Sequence, residues 1–530
     1  MHNIKTQKYI LLLIISIFLN ALMWLVLVPI WHFPDEQSHF GQVAFLSETG
    51  RNPKDEELDL TDEIYSSERL LGTERDNFGN NKFTFHPEYK IEYTDSLVGK
   101  YEASIAALSK TGAKSTFVDR EAARYPPLYY IFSSIVYKLF YQQDLFTRVF
   151  AVRFCSLVLF LLNVYIAYKI GLLLFENNKL LSSTLTILVG FQPMMVFSNV
   201  GVNSDSLGNL LFTAFLFINL SIISSGISKK RLLILSIISL LTINTKPQFI
   251  IILPSVFMLL FFTFFRDSKL KHKYQLSFLI LLIFLFFFYL LYYFRISSLI
   301  IIDRFLASFD LASLIKFTFE YTIPHTIREV LPWYWGVYDW LGVTYPRVIH
   351  RMINRIVVIA FFGFGYWLFR NFKEKKWRDN IFQGVIFLIF VNILYFLAVS
   401  VYDWWLWYTS HYQLGVQGRY FFPLISVHML ILIVGWQSIF PNKWRLKLWG
   451  TKILGILMIT LNLYAVYIVA KTYYDFPPFL TLVIQASQYK PWFFKGIFLI
   501  GLWSVFLITL VKFLSEYIRH RDKKRINIDK

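Results

Sequence analysis

Apolar runs of about 18 to 25 residues recur from residue 9 to residue 514, and no other feature restricts so severely what this chain can become. A helix of that length crosses ~30 Å of hydrocarbon, so the expected fold is an all-α polytopic membrane protein. With 56% hydrophobic and 19% aromatic residues, an ordinary soluble protein is excluded. The first run, Tyr9–Ile30, has no small-residue cleavage site after it and reads as an uncleaved anchor.

The net charge of +19 invites a nucleic-acid partner, but its distribution argues for none. Residues 31–126 carry 18 acids against 11 bases, while the basic surplus collects in short loops at 229–231, 266–273, 370–378, 443–452 and 519–525. Such loops mark the cytoplasmic side, which places both termini in the cytoplasm and residues 31–126 on the outer side of the membrane. About twelve spans are then expected, near 9–30, 149–175, 180–200, 206–225, 232–243, 249–265, 276–294, 353–369, 381–400, 420–439, 453–470 and 493–514. The chain divides into a first span (1–30), a first external loop (31–148), core spans (149–294), a second external segment (295–352), and C-terminal spans with a basic tail (353–530). In the first loop, Arg124 to Tyr130 (RYPPLYY) opens an apolar stretch too short for a span. It reads as a helix in the outer interface with its tyrosines at headgroup depth, or as a buried re-entrant segment. Cys155 is the only cysteine, so neither an intrachain disulfide nor a cysteine-based zinc site exists.

Where the chain first leaves the membrane it reads WHFPDEQSHFGQ, Trp31–Gln42. Adjacent carboxylates beside a span are expensive to desolvate and are usually kept for chemistry or ion binding, which singles out Asp35 and Glu36. Pro34 stops a helix from running straight into them, and a helix starting there puts Asp35 and His39 on one face. The plain alternative is that Pro34-Asp35-Glu36 only starts and caps a surface helix. On the same side lie Asn203-Ser204-Asp205, Lys246, and Gln417-Gly418-Arg419-Tyr420. Lys246 and Arg419 suit a phosphate, one as a point charge and the other as a two-pronged grip. Taken singly, Asp205 reads as a helix cap and the two cations as snorkelling to headgroups. The aromatic stretches 333–342 and 403–412 are expected mainly as an interfacial belt, with stacking on a sugar ring as the sharper alternative. His325 and His411 lack metal-ligand spacing, and no phosphate-cradling glycine loop or dinucleotide fingerprint is present.

These features resemble the GT-C superfamily of integral-membrane glycosyltransferases, and within it a little-characterised branch. A P-D-E-x-x-H-F box matches Pro34, Asp35, Glu36, His39 and Phe40; N-x-D matches Asn203 and Asp205; K-P-Q matches Lys246, Pro247 and Gln248. W-G-x-x-x-W-L matches Trp335, Gly336, Trp340 and Leu341, and Q-G-R-Y-x-x-P matches Gln417 to Tyr420 with Pro423. The resemblance implies a GT-C-like bundle that moves a sugar from a polyprenyl-phosphate monosaccharide to an envelope glycan, lipid or protein outside the membrane, commonly with inversion. It implies Asp35 as general base, Glu36 assisting or orienting, and Lys246 and Arg419 on the leaving phosphate. His39, Tyr129, Asn203, Asp205, Gln417 and Tyr420 would be further substrate-binding residues. Some members use a divalent metal (Mg or Mn) and others none; Asp35, Glu36, Asp205 and His39 would hold one. The rival reading is a transporter or flippase of lipid-linked sugars, which keeps the same charges along a path but tends to show internal repeats and broken helices at the midplane; no repeat is clear here, and the polar groups lie at the outer interface instead. A non-catalytic partner in an envelope assembly is the third.

Overall fold

The computed structural model describes residues 2–76, 79–89, 91, 93, 101–266, 309–376, 379–440, 444–475 and 478–520. Among the described residues, eight helices are long and apolar enough to cross a membrane, and nine if one bent pair counts as a span. They are Lys8–Leu27, Leu145–Leu174, Asp205–Ser225, Arg347–Lys373, Asn380–Ser410, Gly418–Ile439, Arg445–Tyr473 and Ile497–Arg519, with Lys179–Gly190 and Pro193–Val200 as the bent pair. The chain is thus an integral membrane protein with several spans. Among the described residues it is all-α apart from two small antiparallel ladders, Leu60–Thr61 with Phe117–Asp119 and Val337–Tyr338 with Val343–Thr344.

The expected count of about twelve is met only in part. Two expected spans, 232–243 and 249–265, fall on helices Lys229–Ile243 and Ile252–Arg266 of 15 residues each. At 1.5 Å per residue the first is about 22 Å long, short of ~30 Å, and the second runs to the last described residue of its segment. The expected span at 276–294, residues 295–308 of the second external segment, most of the basic loop 266–273 and the tail beyond 520 lie outside the described residues. The expected span 180–200 is bent by 58°. Pro193 has no N–H to carry the hydrogen-bond ladder through, and the Gln192 side chain caps the new helix start on the Met195 N–H.

The helix foreseen after the RYPPLYY stretch is Leu128–Leu139. Ile131, Phe132, Ile135 and Leu139 are exposed on it, as suits a helix lying in an interface. Its tyrosines are not on that exposed face. Tyr129, Tyr130 and Tyr137 turn inward and are buried, each with a polar partner in the bundle: Ser156 at 2.8 Å, His39 at 2.7 Å and Arg148 at 2.6 Å. Arg148 also pairs with Glu63, which fastens the loop after the first span to span Leu145–Leu174.

Elsewhere the bundle packs backbone to backbone. A Cβ on Gly435 would overlap the carbonyl of Ala360, and one on Gly363 the carbonyl of Gly435. Helices Arg347–Lys373 and Ile425–Ile439 therefore approach as closely as two glycines permit, the small-residue contact typical of membrane helices. On the opposite face Phe361, Phe362 and Phe369 are exposed, in the manner of side chains that meet lipid.

Candidate functional site

Between the first span and the helix Glu36–Thr49 the chain turns sharply, with Trp31 at φ 65° and Asp35 at φ 55°. A short polar residue such as aspartate tolerates this left-handed region. The Asp35 carbonyl accepts the His39 N–H at 3.1 Å, yet the Asp35 carboxylate caps nothing. The capping alternative therefore does not describe this side chain. Instead Oδ1 accepts from Arg75 Nη1 at 3.1 Å and Oδ2 from Arg419 Nη2 at 2.8 Å, and the side chain is 41% exposed. Burial disfavours its charge, but Arg419 and Arg75 outweigh that and hold the carboxyl well below the usual carboxylate range.

Glu36 points the other way. It is buried and takes Arg153 in a two-pronged grip, Nε at 2.8 Å and Nη2 at 2.6 Å, and also accepts the N–H groups of Trp31 (3.0 Å) and Val202 (3.2 Å). Arg153 spends its other donors on the carbonyls of Leu25, Val28 and Pro29. Of the two roles expected for Glu36, assisting or orienting, these contacts suit the second: Glu36 anchors the turn that presents Asp35.

The other candidates gather around Asp35. Asp205 pairs with Lys246, whose Nζ lies 5.3 Å from the Tyr125 ring centre. His39 bonds Tyr130 and stacks on Tyr125 at 5.6 Å; burial pushes its imidazole down to about 3, so it is neutral. Asn203 ties three elements together: its side-chain amide donates to the Pro34 carbonyl (3.2 Å), its side-chain oxygen accepts the Asp205 N–H (2.8 Å), and its backbone N–H donates to Tyr129 (3.1 Å). Arg419 Nε donates to Gln417 Oε1 at 2.9 Å. Gly418 is required because a Cβ there would run into the backbone of Tyr334 and come within 2.7 Å of the Val330 carbonyl.

A cavity of about 460 Å³ opens onto this cluster. Asp35, Gln417, Arg419 and Tyr420 line it, as do Trp333 and Trp340 from the aromatic stretch after His325. Glu36, His39, Tyr129, Asn203, Asp205 and Lys246 are absent from its lining; Tyr129 and Asn203 act as struts, and Lys246 and Asp205 lie within electrostatic reach of His39. Asp35 follows the end of one span, whereas Asp205 and Arg419 stand at the starts of two others, so the cluster occupies one end of the bundle. The basic loops 229–231 and 370–376 join helices at the opposite end.

Two residues were missed at the sequence level. Arg153 carries a signal, a charge inside a long apolar run, which is rare without a partner. Arg75 carries none, standing in a polar loop among other charges. As for a metal, among the described residues no group of three or more His, Cys, Asp or Glu side chains is arranged to hold one. Asp35, Asp205 and Glu36 are each committed to a cation of the protein, so the four residues foreseen as ligands do not fit a divalent ion as they stand.

Fold and site together define a multi-span, helical membrane protein with a charged, aromatic-walled cavity at one end. The chain belongs to the family of predicted membrane proteins designated DUF2142, whose model matches residues 18–427. No curated protein matches it. Among solved structures, ArnT from Cupriavidus metallidurans bound to undecaprenyl phosphate is similar with a TM-score of 0.42 and 13% identity, over 97% of this chain and 77% of that one. ArnT from the same organism in the apo state gives 0.35 and 14%, over 79% and 72%.

Proposed function

We propose that this chain is a GT-C-type glycosyltransferase that moves a sugar from a polyprenyl-phosphate monosaccharide to an acceptor hydroxyl on an envelope glycan, lipid or protein, on the non-cytoplasmic face of the plasma membrane. The observation that carries the reading is the Asp35 carboxylate, open to a cavity and in hydrogen-bond contact with the guanidinium of Arg419, which puts a base and a phosphate-binding cation side by side. The cavity volume falls in the range that encloses a small ligand, and its aromatic walls offer flat faces to a sugar ring.

In this reaction the acceptor oxygen attacks the anomeric carbon while Asp35 takes its proton. The bond from that carbon to the phosphate oxygen breaks, its electron pair stays on the phosphate, and the anomeric configuration inverts. Arg419, with Lys246 close by, meets the charge that grows on the leaving phosphate. Gln417 fixes the guanidinium of Arg419, and the neutral His39 packs beside the base without competing for the proton.

The test is purified protein in lipid vesicles, given a panel of labelled polyprenyl-phosphate monosaccharides and envelope acceptors, with Asp35→Asn in parallel. Label reaching an acceptor, or slow release of free sugar, in the wild type alone supports the reading. Labelled lipid crossing a sealed membrane with no donor consumed would replace it by a flippase.

A further inference from the structure

We infer that Arg75 is a positioning residue that holds Asp35 Oδ1 throughout turnover, so that Oδ2, the oxygen Arg419 vacates when it turns to an incoming anion, is the one that accepts the proton. The inference rests on the proposed transfer reaction for its last step. Its basis is the unequal freedom of the two arginines on one carboxylate.

Arg419 faces the cavity, and apart from Asp35 its side chain donates to the neutral amide of Gln417 and lies 5.7 Å from the Tyr420 ring centre. Arg75 is outside the cavity lining and nearly buried, at 7% exposure. Its Nε donates to Glu121 Oε1 at 2.6 Å, its Nη2 to Ser38 Oγ, and its guanidinium lies 5.8 Å from the Trp340 ring centre. Burial raises both Glu68 and Glu121, Glu68 the further, while Arg75 and the hydrogen bond from Glu68 pull Glu121 back down, so of the two Glu121 is the counter-charge that pins Arg75. An anion entering the cavity can therefore recruit Arg419 and cannot recruit Arg75. Held by both arginines, Asp35 is a weak base; held by Arg75 alone, it is stronger but still oriented.

The groups facing Asp35 are Arg75, Arg419, His39, Tyr125 and Tyr420, with Lys246 and Asp205 next to His39. His39 is pushed down to about 3 and Tyr125 up to about 12, both chiefly by burial, so neither sets a mid-range acid limb. The experiment compares wild type with Arg75→Gln, Arg75→Lys and Glu121→Gln in two readouts. One is an infrared titration of the Asp35 carboxyl in ligand-free protein in lipid, assigned by the band missing from Asp35→Asn. The other is the pH profile of kcat for transfer.

Arg75→Gln should raise the pH at which Asp35 protonates by about one to three pH units, the usual effect of one neighbouring cation, and move the acid limb of kcat the same way. Arg75→Lys should return both toward wild type. Glu121→Gln loosens Arg75 without touching Asp35 and should shift both by less, which keeps the test open if Arg75→Gln fails to fold. A titration unmoved in the variants overturns the inference even where transfer is robust. A shifted titration in a protein that transfers no sugar supports the clamp and removes the transferase reading instead.

Discussion

Replacing Glu36 by glutamine is expected to damage the fold before the chemistry. The carboxylate accepts two hydrogen bonds from Arg153 and one each from the N–H groups of Trp31 and Val202, all out of water. Glutamine retains one acceptor oxygen and turns an amide toward donors, leaving Arg153 without its counter-charge. Breaking a buried pair from one side costs about 3–5 kcal/mol. The three carbonyls that Arg153 also holds soften the loss, so the lower end of that range is expected. Against a total stability of about 5–15 kcal/mol, this is a large fraction. Thermal unfolding in detergent, followed by tryptophan fluorescence, should show a clear fall in Tm for Glu36→Gln. Asp35→Asn, whose side chain is partly open to water, should lower Tm by less than Glu36→Gln while losing about 10²- to 10⁴-fold in transfer. Converting Arg153 to methionine alongside Glu36→Gln should recover part of the lost stability, because no unpaired charge remains. A Glu36→Gln protein with wild-type Tm and no activity would refute the assignment and return Glu36 to the chemistry.

Arg419→Ala and Lys246→Ala should each weaken donor use by about 10- to 100-fold, the usual weight of one charged hydrogen bond, measured as kcat/KM for donor. Gly418→Ala should displace Arg419, since the added methyl meets the Tyr334 backbone; a loss near 10² in kcat is expected, checked by transfer assays on protein that still binds vesicles. Stability should fall as pH drops below about 6.5, because the unfolded imidazole of His39 binds a proton there while the folded one stays neutral down to about 3. The slope from this group reaches ~1.4 kcal/mol per pH unit, and His39→Gln should flatten it in melting curves taken from pH 7 to pH 5.

Much of the plan is legible in the chain because hydrocarbon leaves few choices: the apolar runs give the spans, and the basic loops sort their ends. The box at Asp35 and the cations at 246 and 419 stand out for the same reason, as charges where charge is expensive. Three things were hidden. Asp35 and Glu36 are neighbours with opposite surroundings, and what separates them is a left-handed turn and an arginine 117 residues away. The inward tyrosines of the Leu128–Leu139 helix answer to Ser156, His39 and Arg148, none of them visible in local periodicity. Helix Lys229–Ile243 has the apolar content of a span, although its length falls short.

The glycine crossing of Arg347–Lys373 with Ile425–Ile439 also reaches the site. Gly435 lies 16 residues after Arg419, so a helical arm of about 24 Å joins that contact to the guanidinium. A methyl at Gly363 or Gly435 would prise the two helices apart, and a tilt of about 3° about the contact would swing Arg419 by roughly 1 Å, the displacement that separates an aligned reaction from a slow one. The crossing is therefore a fulcrum, and the placement of a charge at one end of the bundle is set by the absence of two side chains deep within it.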